Sequence, residues 1–185
     1  MGVALALVLW MAFGHAAEQQ AAAQKMEVRS AFLERQENVY QLNATLAFDL
    51  PEGARQAIIE GVPLTLELEI VLRRSRRFWF DESVATLVQN YQLEHRVLSE
   101  RYLVRNLNSG EQMSFPTLDN ALDAMRVVSS LPILDQSLIE PDEEYEISLR
   151  ASLDVRTMPD VLRFVLFFAD DWRQRSERYI WSPRL

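Results

Sequence analysis

Leu64-Thr65-Leu66-Glu67-Leu68-Glu69-Ile70-Val71-Leu72-Arg73 is the stretch that decides the fold class. Leu64, Leu66, Leu68, Ile70 and Leu72 fall on alternate positions, and Thr65, Glu67, Glu69 and Arg73 fall between them. Successive side chains of a strand point to opposite faces, so this run has one apolar face and one wet face. That is the signature of an antiparallel strand with a single buried side. The same alternation recurs from Tyr40 to Leu50 and from Tyr145 to Val155. Shorter or weaker strand patterns lie at Val28 to Glu34, Val84 to Val97, Arg101 to Asn106 and Arg178 to Trp181. In the second of these, Leu87, Tyr91, Leu93 and Val97 are expected to share a face.

Two helices interrupt the strands. Pro51 to Glu60 starts with a proline suited to a first turn and stops at Gly61. Thr117 can cap a second, in which Leu118, Ala121, Leu122, Met125 and Val128 recur at helical spacing, ending before Pro132. Met158 to Ala169 fits a buried helix or a buried strand equally well. Asn106 to Gly110 reads as a turn. The fold expected is mainly β (α+β): an antiparallel β-sandwich or curved sheet with two or three short helices.

The amino terminus reads differently. Val3 to Phe13 is almost wholly apolar, and no charged residue occurs through Ala17. The run is shorter than the ~20 residues a membrane span needs. Gly14-His15-Ala16 supplies the small residues of a cleavage site, so residues 1–16 are expected to be a secretion signal cleaved after Ala16. Residues 17–25 follow as a flexible lead-in, and 26–185 as a single mainly-β domain. A periplasmic location follows, with no stable membrane span after signal cleavage.

Composition narrows the chemistry. The 185 residues are 49% hydrophobic and 25% charged, enough for a packed core, and the net charge is -8. An acidic chain repels nucleic acid, which is not expected as a partner. With no cysteine, disulfides, thiol catalysis, Cys-ligated zinc and a lipoprotein anchor are excluded. Beyond the signal the glycines are Gly53, Gly61 and Gly110, too scattered to cradle a phosphate. His95 is the sole histidine beyond the signal, and it reads as a satisfied core residue. The acidic stretch Glu140, Asp142, Glu143, Glu144 and Glu146 lacks the alternating geometry of a calcium loop and reads as a solvated turn. No catalytic residue, cofactor or metal is expected.

The most unusual local feature is Arg73, Arg74, Arg76 and Arg77, followed by Phe78-Trp79-Phe80. Guanidiniums beside aromatic rings can hold a carboxylate, a phosphate headgroup or a glycan. Arg73, Arg74, Arg76, Arg77 and Trp79, with Trp172 and Trp181 as outlying members, form the expected partner or ligand surface. The bland alternative is a strand end whose arginines pair with the surplus acids.

Leu50-Pro51-Glu52-Gly53-Ala54, Ala57-Ile58, Gly61-Val62-Pro63-Leu64 and Arg76-Arg77-Phe78-Trp79 resemble the DUF4390 domain family, a proteobacterial family of exported proteins. So do Tyr91-x-Leu93, Leu98-Ser99-x-Arg101-Tyr102, Pro159-x-x-Leu162-Arg163 and Trp172…Ser176…Tyr179-x-Trp181. The resemblance implies an amino-terminal signal. It also implies an accessory role beside a membrane sensor histidine kinase, and it carries over no catalytic residue. Three functions remain open: a non-enzymatic binding or interaction protein serving an envelope protein, a carrier of a small apolar or lipidic ligand, and a carboxylate-dependent hydrolase acting on envelope glycans.

Overall fold

A computed structural model describes residues 26–75, 82–141, 143–154 and 173–183. The expected signal and lead-in, the ambiguous 158–169 stretch, and Arg76, Arg77, Trp79 and Trp172 lie outside the described residues. The elements run β1 (Glu27–Gln36), β2 (Val39–Ala47), α1 (Glu52–Ile59), β3 (Leu64–Ser75), β4 (Glu82–Arg96), β5 (Arg101–Asn106) and β6 (Gln112–Phe115). They continue with α2 (Leu118–Met125), β7 (Val127–Asp135), β8 (Glu144–Asp154), β9 (Gln174–Arg175) and β10 (Tyr179–Trp181). The protein is mainly β, with every described strand pair antiparallel.

The strands form two sheets. The smaller has the order β1-β2-β7; the larger has the order β10-β8-β3-β4-β5-β6, with β9 also on β8. β3 sits inside the larger sheet, with β4 on one edge and β8 on the other. Its register sets Leu68 opposite both Gln89 and Ala151, and Ile70 opposite Leu87 and Leu149. The row Leu64, Leu66, Leu68, Ile70 and Leu72 is buried. It joins Leu42 and Leu46 of β2, Ala57 and Ile58 of α1, Leu122 of α2 and Leu149 of β8 in one hydrophobic core. Val71, the residue that breaks the alternation, is buried on the outer face, level with buried Ser148. Arg178 reaches across there, its Nη1 lying 3.4 Å from Ser148 Oγ and its Nη2 3.4 Å from Glu69 Oε2.

α1 ends where the sequence says it should. Gly61 takes a left-handed φ of 93°, its N–H bonds to Ile58 O at 2.9 Å and Val62 N–H bonds to Ala57 O at 2.9 Å. The second helix does not extend as its spacing suggests. Thr117 caps it as expected, but it stops at Met125, and Val128 lies on β7. The reason is tertiary. Arg126 donates from Nε and Nη2 to Phe48 O at 3.2 and 2.9 Å, and its own carbonyl accepts from Leu46 N at 2.8 Å. These bonds draw the chain into the β2 ladder one residue after the helix. Pro132, expected just beyond the helix, lies within β7. It is tolerated because, among the described residues, β7 is the last strand of its sheet.

β6 and β9 had no sequence signal: both are short, and Met113 of β6 is exposed. Val97 does not continue the inward face of β4. The strand ends at Arg96, and Val97 is 61% exposed in a 3-10 turn. Among the described residues, no helix is long and apolar enough to cross a membrane. Replacing Leu68 by Ala, at the centre of the core, is expected to cost about 2–5 kcal/mol in urea unfolding. Phe32→Ala, at a side chain 55% exposed, should change stability by less than about 0.5 kcal/mol.

Candidate functional site

The two sheets are unequal, and a cleft lies where the larger outruns the smaller. β4, β5 and β6 form one wall, β7 the other, and α2 carries the chain between them. The cleft has a volume of about 1120 Å³. Its floor is apolar: Val104 of β5, Met125 of α2, and Val128 and Leu131 of β7 line it and are buried. Its rim is polar and exposed, with Asn108, Ser109, Glu111, Gln112, Ser129 and Ser130.

One polar group lies among the floor residues. Gln89 faces inward because it pairs with Leu68, and it is 8% exposed. Among the described residues its buried Oε1 has no hydrogen-bond partner. An unpaired buried acceptor forfeits its hydration, a loss of about 1–3 kcal/mol. Tyr91, the next inward residue of β4, also lines the cleft. Burial, and secondarily the charge of Glu111, pushes its phenol above the ordinary tyrosine range, so the hydroxyl stays protonated. None of the lining residues is Arg or Lys, and Glu111 is the one carboxylate among them.

The walls are braced. Asn106 Oδ1 accepts from Asn108 N at 2.9 Å and Ser109 N at 3.2 Å, folding the turn after β5. Gly110 supplies its positive φ of 80°. Asn108 then acts as a surrogate strand residue against β4. Its Oδ1 accepts from Asn90 N at 2.8 Å, and its Nδ2 donates to Val88 O at 2.9 Å. On β7, Ser130 has φ of 51°, and its N–H bonds to Asn43 Oδ1 at 3.0 Å where the ladder with β2 slips. Asn43 thereby replaces a missing main-chain acceptor.

The residues that the sequence singles out lie elsewhere. Arg73 has the outward register of β3, opposite Ser83 and Glu146. Arg74 follows on the other face, its side chain only 14% exposed, with Nη1 2.6 Å from Glu140 Oε1. The amide of Glu140 donates to the Tyr145 hydroxyl at 3.0 Å. Arg74, Glu140 and Tyr145 thus close one end of the core. Trp181 pairs with Ile147 on the inner side and packs partly buried against the core, with its ring 5.7 Å from that of Tyr179. Arg73 and Trp181 therefore belong to opposite faces of the larger sheet. His95 is held at β4's end, Nδ1 2.6 Å from Ile59 O and its ring stacked at 4.5 Å on Tyr102. Glu140 of the acidic stretch is used by Arg74, and Glu143 and Glu144 are exposed. Among the described residues, no group of three or more His, Asp or Glu is placed to hold a metal ion.

Sequence reading missed the cleft. One signal was present: Leu87, Gln89, Tyr91 and Leu93 form an inward row in which a glutamine stands among apolar residues.

Two measurements check this geometry. Arg74→Glu sets an acid against Glu140 and is expected to destabilise the fold by about 1–3 kcal/mol, while Arg73→Glu should not, as read by thermal melting. In an alkaline absorbance titration Tyr91 should ionise above the ordinary tyrosine value of about 10. Glu111→Gln should lower that midpoint only in part, since burial is the larger cause. The buried neutral phenol costs the fold nothing below the ordinary tyrosine value of about 10, and stability falls from there as pH rises through the raised value.

A family model described as "Domain of unknown function (DUF4390)" matches residues 23–182. No curated protein and no solved structure matches the chain. The match spans every described strand and both helices, hence the core, the cleft and the braced turn alike. On that extent of agreement the chain belongs to the DUF4390 family.

Proposed function

We propose that this protein is a non-enzymatic binding module that acts in the periplasm for an envelope protein, and that its ligand seats in the cleft between β7 and the β4–β6 wall. The single observation carrying the reading is Gln89: an acceptor buried at the floor of a solvent-reached cleft, with no hydrogen-bond partner among the described residues. Of the buried side-chain atoms without a hydrogen-bond partner among the described residues, Gln89 Oε1 is the one that lines the cleft, where a bound molecule with a donor would satisfy it. The resemblance to exported proteins supports the location. Arg74 is already engaged with Glu140, so the cleft rather than the arginine row carries the proposal.

The apolar floor favours a second reading, a carrier for a small apolar ligand. Such a ligand offers no donor to Gln89, and an acidic lipid would find no cation in the cleft.

The test is photocrosslinking in cells, on the full exported chain, with a benzophenone residue at Met113 on the cleft or at Ile180 on the outer face. Met113 should give one specific adduct, and Ile180 should not. Ala124→Trp, which fills the cleft, should abolish the adduct while the variant still melts cooperatively. No adduct at Met113, or one indifferent to Ala124→Trp in a folded variant, rejects the cleft as the site.

A further inference from the structure

We propose, building on that reading, that the occupant is an extended segment of another polypeptide, added as a strand along the outer edge of β7 with a hydrogen-bond donor set on Gln89. Three observations converge. β7 ends its sheet, and among the described residues no strand pairs with its outer edge. Ser129 to Pro132 of that strand line the cleft, so the edge is presented to the occupant. An unpaired edge offers main-chain donors and acceptors to any extended chain, whose alternate side chains then point inward. The inward side here meets the apolar floor and Gln89, and the opposite side meets the exposed polar rim.

Size and charge narrow the class. At about 1120 Å³ the open cleft stands at the top of the roughly 300–1,000 Å³ range of small-molecule pockets. It has room for an elongated chain. Glu111 gives it a negative rim, and it lacks any cationic lining residue. A phosphate or carboxylate headgroup would bring like charge with nothing to neutralise it, whereas a neutral or basic peptide meets no such opposition. Gln89 Oε1 calls for a hydroxyl, amide or ammonium donor, which an inward Ser, Thr, Asn, Gln or Lys provides.

The experiment selects random phage-displayed peptides on the purified full chain, with the Ala124→Trp variant as counter-selection. Synthetic copies of the enriched peptides should bind the unmodified protein. N-methylation of alternate peptide amides should abolish that binding, and the β7 amides not already bonded to β2 should exchange hydrogen more slowly in the complex. Gln89→Leu should weaken binding by about tenfold, the loss of one hydrogen bond. The same variant should melt no lower than the parent, because it removes an unpaired buried acceptor. A purely structural Gln89 would give the reverse pattern. The proposal is overturned if no peptide survives counter-selection, if N-methylation has no effect, or if Gln89→Leu binds undiminished. Should Met113 still yield a cleft-dependent adduct that is not polypeptide, the strand proposal fails and the binding-module reading stands.

Discussion

β3 is hydrogen-bonded along both edges while its inward row, Leu64 to Leu72, fills the centre of the core. A strand so placed is fixed in register from two sides. A slip of one residue would carry Leu66, Leu68 and Ile70 to the outer face and drive Glu67 and Glu69 into hydrocarbon. β4 inherits its phase from this strand, and with it the inward placement of Gln89 and Tyr91. β8 inherits its phase likewise, which sets Ile147 and Leu149 on the core and leaves Arg150 outside beside Glu69, Nη1 to Oε2 3.8 Å.

The smaller sheet depends on that layer through its connections. Arg126 ties α2 and β7 to the end of β2, bonding to Phe48 O and Asp49 and lying 5.2 Å above the Phe48 ring. Through this crossing the chain leaves the larger sheet at β6, makes two turns of helix and returns beside β2. β7 then lies next to β2 with its other edge unpaired among the described residues. The cleft is thus a consequence of topology: the sheets have unequal numbers of strands, and the connecting helix covers only part of the surplus. A cleft made this way is set by paired strands and a braced turn.

The arginine row illustrates how a conspicuous motif divides once folded. Arg73 and Arg74 are neighbours in sequence, yet a strand sends them to opposite faces. One stands level with Glu146 on the outer face, and the other closes the core with Glu140 and Tyr145. Trp181, which looked like a companion, lies on the inner side of β10. The pleat thus sets Arg73 on the face opposite Arg74 and Trp181, while Arg76, Arg77, Trp79 and Trp172 lie outside the described residues.

The sequence by itself determined the elements whose signals are local. Alternation over β2, β3 and β8 declares one buried face, because pleating has period two. Pro51 and Gly61 bound α1, because one lacks an N–H and the other accepts positive φ. The turn at Asn106 to Gly110 follows from the same chemistry. Tertiary structure alone decided which strands are neighbours, how they divide between sheets, and that the chain after Met125 is β7 rather than more helix. Alternation specifies a face but not a partner, and Val128 satisfies the helical and extended patterns alike until Arg126 bonds across to Phe48. Gln89 shows the limit most plainly. Its inward parity can be read from its neighbours, but whether a buried amide is satisfied depends on atoms brought from distant strands. Here the two sheets bring it apolar neighbours and an open cleft.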